Sequence, residues 1–225
     1  MKIGIVVPDR PGRECFKSWW SNLINFQIAK GITTEIFHIN EELEARGKRK
    51  TDLVQRCHIG VDKAIKSNCQ LIFFWENDDY YSAYYLATLV RTWIEKDKPD
   101  AIGADQTTYI HVKDQKVFYQ EHKGRSSLFH TAISAEYAKN INWDQALKSC
   151  PFLDLFLWEK AKTKALINQM AIGLKHGIGY VGGNAHNSKW RLYNPINKVD
   201  LYKLVPREMI IKYKTIINNE IARTI

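Results

Sequence analysis

The sequence predicts an α/β domain built on a central, mostly parallel sheet, with helices on both faces and a mixed second half. Three observations carry this. Short apolar runs rich in β-branched residues, KIGIVV at 2–7, TTEIFHI at 33–39 and LIFFWE at 71–76, have the length and composition of buried parallel strands. Segments with helical apolar spacing lie between them, giving a β-α-β-α-β order that calls for helix-covered strands. Beyond Pro99 the chain changes to alternating segments separated by the polar turns KDQK and HKGR, which predict further strands, some antiparallel.

Taken in order, Pro8 ends the first strand and PDRPGRE breaks the chain. Cys15 to Ala29 then carries helical spacing through Phe16, Trp19, Trp20, Leu23, Ile24 and Ile28. EELEARGKRK reads as part helix, part loop. Thr51 to Ser67 is expected to be a helix with Leu53, Val54, Cys57, Ile59, Val61 and Ile65 on its apolar side, and Ser82 to Glu95 another. AIGADQTTYIHV, KVFYQE and SLFHTAIS read as strands, followed by helices near 135–140 and 153–170. A glycine-rich segment, GLKHGIGYVGGNAH, precedes a basic, isoleucine-rich helix over about 206–222. There is no internal repeat. The expected division is one domain over 1–205, in halves 1–98 and 99–205, with 206–225 a helix packed on it.

A chain of 225 residues suits one such domain with a sizeable core. No stretch approaches the ~18 apolar residues of a membrane span. The opening MKIGIVVPDR lacks the apolar run of a secretory signal, so a cytoplasmic location is expected. Cys15, Cys57, Cys69 and Cys150 show no CxxC or metal-finger spacing and read as reduced thiols. The net charge of +9 favours phosphate-rich partners, and it is uneven: Lys160 to Arg191 holds six Lys/Arg and no Asp or Glu. That stretch is either a solvated basic face or a surface for a polyanion.

Glu76, Asn77, Asp78 and Asp79 follow the clearest strand. Ligands of open α/β sheets gather outside the carboxyl ends of strands, and this loop would lie there. Three carboxylates within four residues repel one another unless a cation or strong donors hold them. A hard divalent metal bridging to phosphate oxygens satisfies that need. A charged turn capping the next helix is the other reading.

LIFFWENDDYYSAYYL resembles the strand-plus-DxD segment of glycosyltransferases of the GT-A fold, especially glycosyltransferase family 2. The resemblance implies a Rossmann-like sheet, a nucleotide-sugar donor such as a UDP-sugar, and Mn²⁺ or Mg²⁺ held by Glu76 and Asp78. Glu76 stands where the family usually has Asp. IGIVVPDR is similar to the family's first strand and places Pro8, Asp9 and Arg10 beside the nucleoside. EIFHIN is similar to the second strand, with Asn40 where many members have an acidic base contact. QRCHIGVDKAI resembles the family's Arg-Asn-x-Gly helix and makes Arg56 a donor-site candidate; Asn77 joins the same set. The ordered segments span about residues 1–95.

In the acceptor half, CPFLDLFLWEKAK resembles the family's helix with an acidic catalytic residue at its start, which implies Asp154 as the base. Direct displacement at an anomeric carbon needs a group to take the acceptor hydroxyl's proton. Asp144 is the rival; Glu159 falls later in the helix. The glycine-rich segment looks like a flap that closes over a diphosphate around Gly182 and Gly183, with Lys175, Lys189 and Arg191 facing the leaving group's charge. The fold family often adds a late His ligand, which points to His186, with His176 the alternative. His130 is a weaker acceptor-side candidate.

These expectations describe a metal-dependent transferase moving a sugar to an acceptor hydroxyl with inversion. Duplex DNA bearing hydroxymethylated pyrimidines is the acceptor suggested by the basic stretch, with Trp158, Trp190 and Tyr193 available to stack on a base. A cell-surface or lipid-linked saccharide is the alternative, with the last helix touching a membrane surface. A non-catalytic nucleotide or nucleic-acid binding module is the alternative of another class.

Overall fold

In the computed structural model, the described residues are 1–9, 31–43, 50–112, 116–149, 152–175, 194–195 and 198–224. Two sheets form the centre. The first has six strands: β1 (Lys2–Pro8), β2 (Thr33–Ile39), β3 (Leu71–Phe74), β5 (Ala101–Ala104), β8 (Ala132–Ser134) and β9 (Lys164–Ile167). Their spatial order is β2-β1-β3-β8-β5-β9. β1 pairs in parallel with β2 and β3, and β5 with β9, while β8 runs against both its neighbours. The sheet is therefore mostly parallel, as the apolar runs predict. The second sheet, ordered β11-β7-β6-β10-β4, comprises β4 (Tyr80–Tyr81), β6 (Gln106–His111), β7 (Lys116–Glu121), β10 (Ala171–Lys175) and β11 (Asn194–Pro195).

The period of two along the strands explains why the first sheet is buried on both faces. Ile3, Ile5 and Val7 of β1 and Leu71 and Phe73 of β3 enter one apolar cluster. Val6, Ile72 and Phe74 enter the other. The first cluster is closed by α2 (Tyr85–Glu95) through Leu86, Leu89, Val90 and Trp93, and by α7 (Arg207–Thr224) through Met209, Ile210, Tyr213 and Ile216. Leu201 of α6 (Lys198–Leu204) joins it. The second cluster is closed by α1 (Lys50–Lys66), α3 (Ala135–Lys139), α4 (Trp143–Ser149) and α5 (Leu153–Lys160). Helix α1 lies close on β1 because Gly60 has no side chain: a Cβ there would sit 2.4 Å from Val6 Cγ1.

Several expectations need correcting. Residues 153–170 are not one helix: α5 ends at Lys160 and 164–167 form the edge strand β9. Asp100 makes the break. Its Oδ2 accepts from the N–H groups of Lys162 and Thr163, its own N–H donates to Thr163 Oγ1, and the next residues are laid along β5. AIGADQTTYIHV is two strands in different sheets, the chain crossing over at Asp105. The helix expected from Ser82 begins at Tyr85, because Tyr80 and Tyr81 pair with β10. Helix α6 was not anticipated. The helix expected over Cys15–Ala29 lies outside the described residues. Cys57 and Cys69 are free and buried.

Helix α7 turns its apolar stripe into the core. Its exposed residues include Arg207, Glu208, Ile211, Thr215, Asn218 and Asn219, which leave Ile211 as the apolar member of the described outward face. No helix among the described residues is long and apolar enough to cross a membrane.

His130, expected near the acceptor, is a core residue. It is 1% exposed, stacked with Phe129 and Tyr85, and its Nε2 accepts from the Ala171 N–H at 2.8 Å. Burial, with neighbouring His122 adding to it, pulls its pKa down to about 3. Burial and then Arg125 pull His122 down to about 4. Both rings stay neutral in the fold while the unfolded chain takes up their protons below about pH 6.5. Stability from these rings is complete above that pH and is lost as pH falls toward 4 and 3, at up to ~1.4 kcal/mol per pH unit for each. Urea unfolding between pH 7 and 4.5 measures this. His130→Gln, which keeps an acceptor for Ala171, is expected to lower stability at pH 7 and make the pH slope shallower by one proton; an unchanged slope counts against the assignment.

Candidate active site

The carboxyl ends of β1, β2 and β3 meet at one edge of the first sheet, and the expected acidic loop runs from there to β4 in the second sheet. Each loop residue is held by a different element. The Glu76 N–H donates to Tyr81 Oη at 2.8 Å, and Tyr81 is stacked on Trp75 with centroids 3.6 Å apart. Asn77 is buried and donates from Nδ2 to Asp9 Oδ1 at 2.6 Å. The Asp78 carbonyl accepts from the Tyr213 hydroxyl of α7. Asp79 is fully buried, and its Oδ1 accepts from the Leu174 N–H of β10 at 2.7 Å. A turn bond from the Asp79 N–H to the Glu76 carbonyl, 3.3 Å, closes the loop.

This scaffold gathers carboxylate oxygens of Glu76, Asp78 and Asp79 within 4.8 Å of one another. Glu76 and Asp78 are half-buried, and Asp79 Oδ2 is buried with no hydrogen-bond partner among the described residues. An all-oxygen, all-carboxylate set with one unsatisfied buried oxygen fits a hard divalent cation such as Mn²⁺ or Mg²⁺. Burial first, then Glu76 and Asp78, hold the Asp79 carboxyl well above the usual carboxylate range, against the pull of Lys175 and the Leu174 N–H. Asp79 is the residue that the sequence reading left behind the metal pair; the fold turns it into the cluster.

Lys175 ends β10 at this edge. Burial lowers its pKa, but Asp79, Glu76, Tyr109 and Asp78 together outweigh that and keep the ammonium charged. Its Nζ stands 5.0 Å from the centroid of the Tyr109 ring. Tyr109 crosses β10 where the strand has no side chain, since a Cβ on Gly173 would lie 2.3 Å from the ring. Burial raises the Tyr109 phenol, and Lys175, Glu76, Asp79 and Asp154 all act on it.

Asp154 lies in the first turn of α5. That helix leads back to the start of β9, which parallels β5, so Asp154 sits at the same end of the sheet as the acidic loop. One carboxylate oxygen accepts from Arg125 Nη1. Burial raises the Asp154 pKa and Arg125 opposes it. The rival Asp144 is exposed on α4, whose Trp143 stacks on His58 of α1 with centroids 4.9 Å apart. Glu159 is exposed beside Lys160.

Three donor-site candidates are engaged within the protein. Both carboxylate oxygens of Asp9 are taken up, by Asn77 and by His38 Nε2 at 2.8 Å. Arg56 donates to the carbonyls of Ile39 and Glu41 and to Asp52. Asp9, Asn77 and Arg56 therefore shape the ends of β1, β2 and β3 instead of presenting side chains outward. Pro8 ends β1, and Asn40, exposed, follows β2 at the same edge. Arg10, His176, Gly182, Gly183, His186, Lys189 and Arg191 lie outside the described residues.

The basic stretch divides. Lys160, Lys162 and Lys164 are exposed at the amino ends of β5 and β9, because Lys164 pairs with Ala101. They lie at the opposite end of the sheet from the acidic loop, and Lys160 and Lys162 line a cavity of about 360 Å³ together with Asp100 and Glu136. Trp158 is 1% exposed and donates to Thr131 Oγ1, so it cannot stack on a base. Trp190 and Tyr193 are outside the described residues.

Searches with the sequence find no matching family model and no matching curated protein. Solved structures do match in fold. TarS 1–349 of S. aureus in complex with UDP aligns with a TM-score of 0.53 at 10% identity, over 77% of this chain and 60% of that chain. The same protein in complex with UDP-GlcNAc aligns with a TM-score of 0.51 at 10% identity, over 94% and 66%. A glycosyltransferase involved in glycosylation of the major capsid of PBCV-1 aligns at 0.46 and 11%, over 75% and 82%. At this identity the likeness is one of fold, and the chain spans about 60% of the UDP-bound TarS chain. The fold is GT-A-like.

Arg125 was not singled out from the sequence, and its ion pair carries a test. Removing the guanidinium in Arg125→Met takes away the charge that opposes burial at Asp154. The Asp154 pKa is expected to rise further above the ordinary carboxylate range, because a close opposite charge favours the ionised form and burial is then unopposed by it. Carboxyl ¹³C titration by NMR reads it; an unmoved Asp154 resonance argues against the pair.

Proposed function

We propose that the protein is a metal-dependent glycosyltransferase that takes its sugar from a nucleoside-diphosphate sugar, with a UDP-sugar as the donor. The observation that carries this is the three-carboxylate cluster at the meeting point of β1, β2 and β3. The fold likeness to a protein bound to UDP and UDP-GlcNAc supports the donor class.

Glu76 and Asp78 would hold Mn²⁺ or Mg²⁺, with Asp79 behind them. When bound, the metal neutralises charge on the departing diphosphate. Lys175, kept charged by the same carboxylates, adds a cation on that side. Asp154 takes the proton of the acceptor hydroxyl as the new bond forms, and inversion follows from a single displacement. Arg125 orients the Asp154 carboxylate and opposes the upward push of burial on its pKa. His186 and Lys189 complete the proposed ligand and diphosphate contacts, and residues 1–205 the proposed catalytic domain.

For the acceptor, a saccharide hydroxyl is favoured over hydroxymethylated DNA by one observation: Lys160, Lys162 and Lys164 lie at the wrong end of the sheet to guide a duplex to Asp154. The assay is labelled UDP-sugars offered to saccharide acceptors and to hydroxymethylcytosine DNA, with and without Mn²⁺. Transfer that survives a chelator, or no transfer and no metal-dependent donor binding, overturns the proposal.

Asp78→Asn is expected to keep the fold and lower transfer ~100-fold or more, because the metal's share of charge stabilisation is several kcal/mol. Steady-state rates at limiting Mn²⁺ check this. Asp154→Asn is expected to leave donor affinity unchanged and lower kcat by ~10²–10⁴-fold. Asp144→Asn should alter neither; a loss there with Asp154→Asn active would move the role.

A further inference from the structure

We infer that Tyr213, on the C-terminal helix, is a positioning residue for the proposed metal loop, so that docking of α7 and cation binding are coupled. The inference rests on the metal reading of Glu76, Asp78 and Asp79. Two buried phenols hydrogen-bond to the backbone of this loop. Tyr81 follows it directly in the chain and takes the Glu76 N–H. Tyr213 lies 135 residues away from Asp78 and donates to its carbonyl.

The rest of α7 explains how that hydroxyl is held in place. Met209, Ile210 and Ile216 flank Tyr213 on the buried stripe, in the same cluster as β1 and β3. The phenol is fully buried, so its geometry is set by packing rather than by solvent. A hydrogen bond to the Asp78 carbonyl restrains the peptide plane between Asp78 and Asp79, the backbone from which both carboxylates depart. The loop must bring like charges together without a cation, and a peptide plane free to rotate would let them separate. Tyr213 restrains that rotation.

Such coupling is reciprocal: if a docked helix favours the cation, the cation favours the docked helix by the same factor. The experiment uses the full chain and Mn²⁺ alone as probe. Tyr213→Phe keeps the ring and removes the hydroxyl. Tyr85→Phe is the control: that buried phenol donates to the Phe129 carbonyl, and Phe keeps the ring that packs on Trp75 and Tyr81.

Mn²⁺ affinity is measured by electron paramagnetic resonance, and amide exchange across 207–216 is followed with and without Mn²⁺. Wild type and Tyr85→Phe are expected to bind alike, and Tyr213→Phe ~10-fold more weakly, as for loss of an outer partner of a metal site. Mn²⁺ should slow exchange in α7 of the wild type and do so less in Tyr213→Phe. Equal Mn²⁺ affinity in wild type and Tyr213→Phe, or an equal drop in Tyr85→Phe, overturns the coupling and leaves the metal reading standing. No Mn²⁺ binding by the wild type overturns both.

Discussion

Like-charge repulsion in the loop after β3 sets the terms for the rest of this fold. Glu76, Asp78 and Asp79 are held within one cation's reach, although each raises the energy of the others' ionised forms. The chain answers with restraints drawn from Asp9 after β1 and from β4, β10 and α7, so that Asn77, Asp78 and Asp79 are each held by a residue distant in sequence. The two sheets also meet through this loop, which leaves one and enters the other. A favourable charge is supplied by Lys175, and its ammonium stays protonated because the acids surround it.

Much of this was readable from residues alone. Strands β1, β2 and β3 are apolar runs bounded by breaks, and burial on both faces leaves such runs no other use. The acidic loop was legible for the same reason, because its position follows from where β3 stops. The place of Asp154 in the first turn of a helix agrees with what the resemblance implies. The partner of Asp154 was not legible: Arg125 is 29 residues earlier, in a segment that reads only as a polar turn. Tyr81 and Tyr213 pack in the core, and their hydroxyls bond the loop through contacts that no local pattern announces.

The misreadings share a cause. KTKALIN continues the helical composition of α5, and what ends the helix is Asp100, more than sixty residues back. Arg56 reads as a charge available to a donor, yet its guanidinium is bound to carbonyls 15 and 17 residues before it. The lysines from 160 to 164 read as neighbours of the site because they are close to Asp154 in sequence. Two turns of helix carry the chain to the opposite end of the sheet. In each case a long-range contact overrode a local pattern.

The tie between Asp78 and Tyr213 also has a meaning for the order in which the polypeptide is made. Residues 1–79 contain β1, β2, β3 and the acidic loop, but Leu174 and Tyr213 emerge much later. At ~5–20 residues per second, the 135 residues between Asp78 and Tyr213 take roughly 7 to 27 seconds to synthesise. During that interval the loop has Asp9 and Tyr81 as partners but lacks the Leu174 amide, 95 residues beyond Asp79, for most of the time and the Tyr213 hydroxyl throughout. The growing polypeptide thereby completes the restraints on its acidic loop only after the second half of the chain has been made.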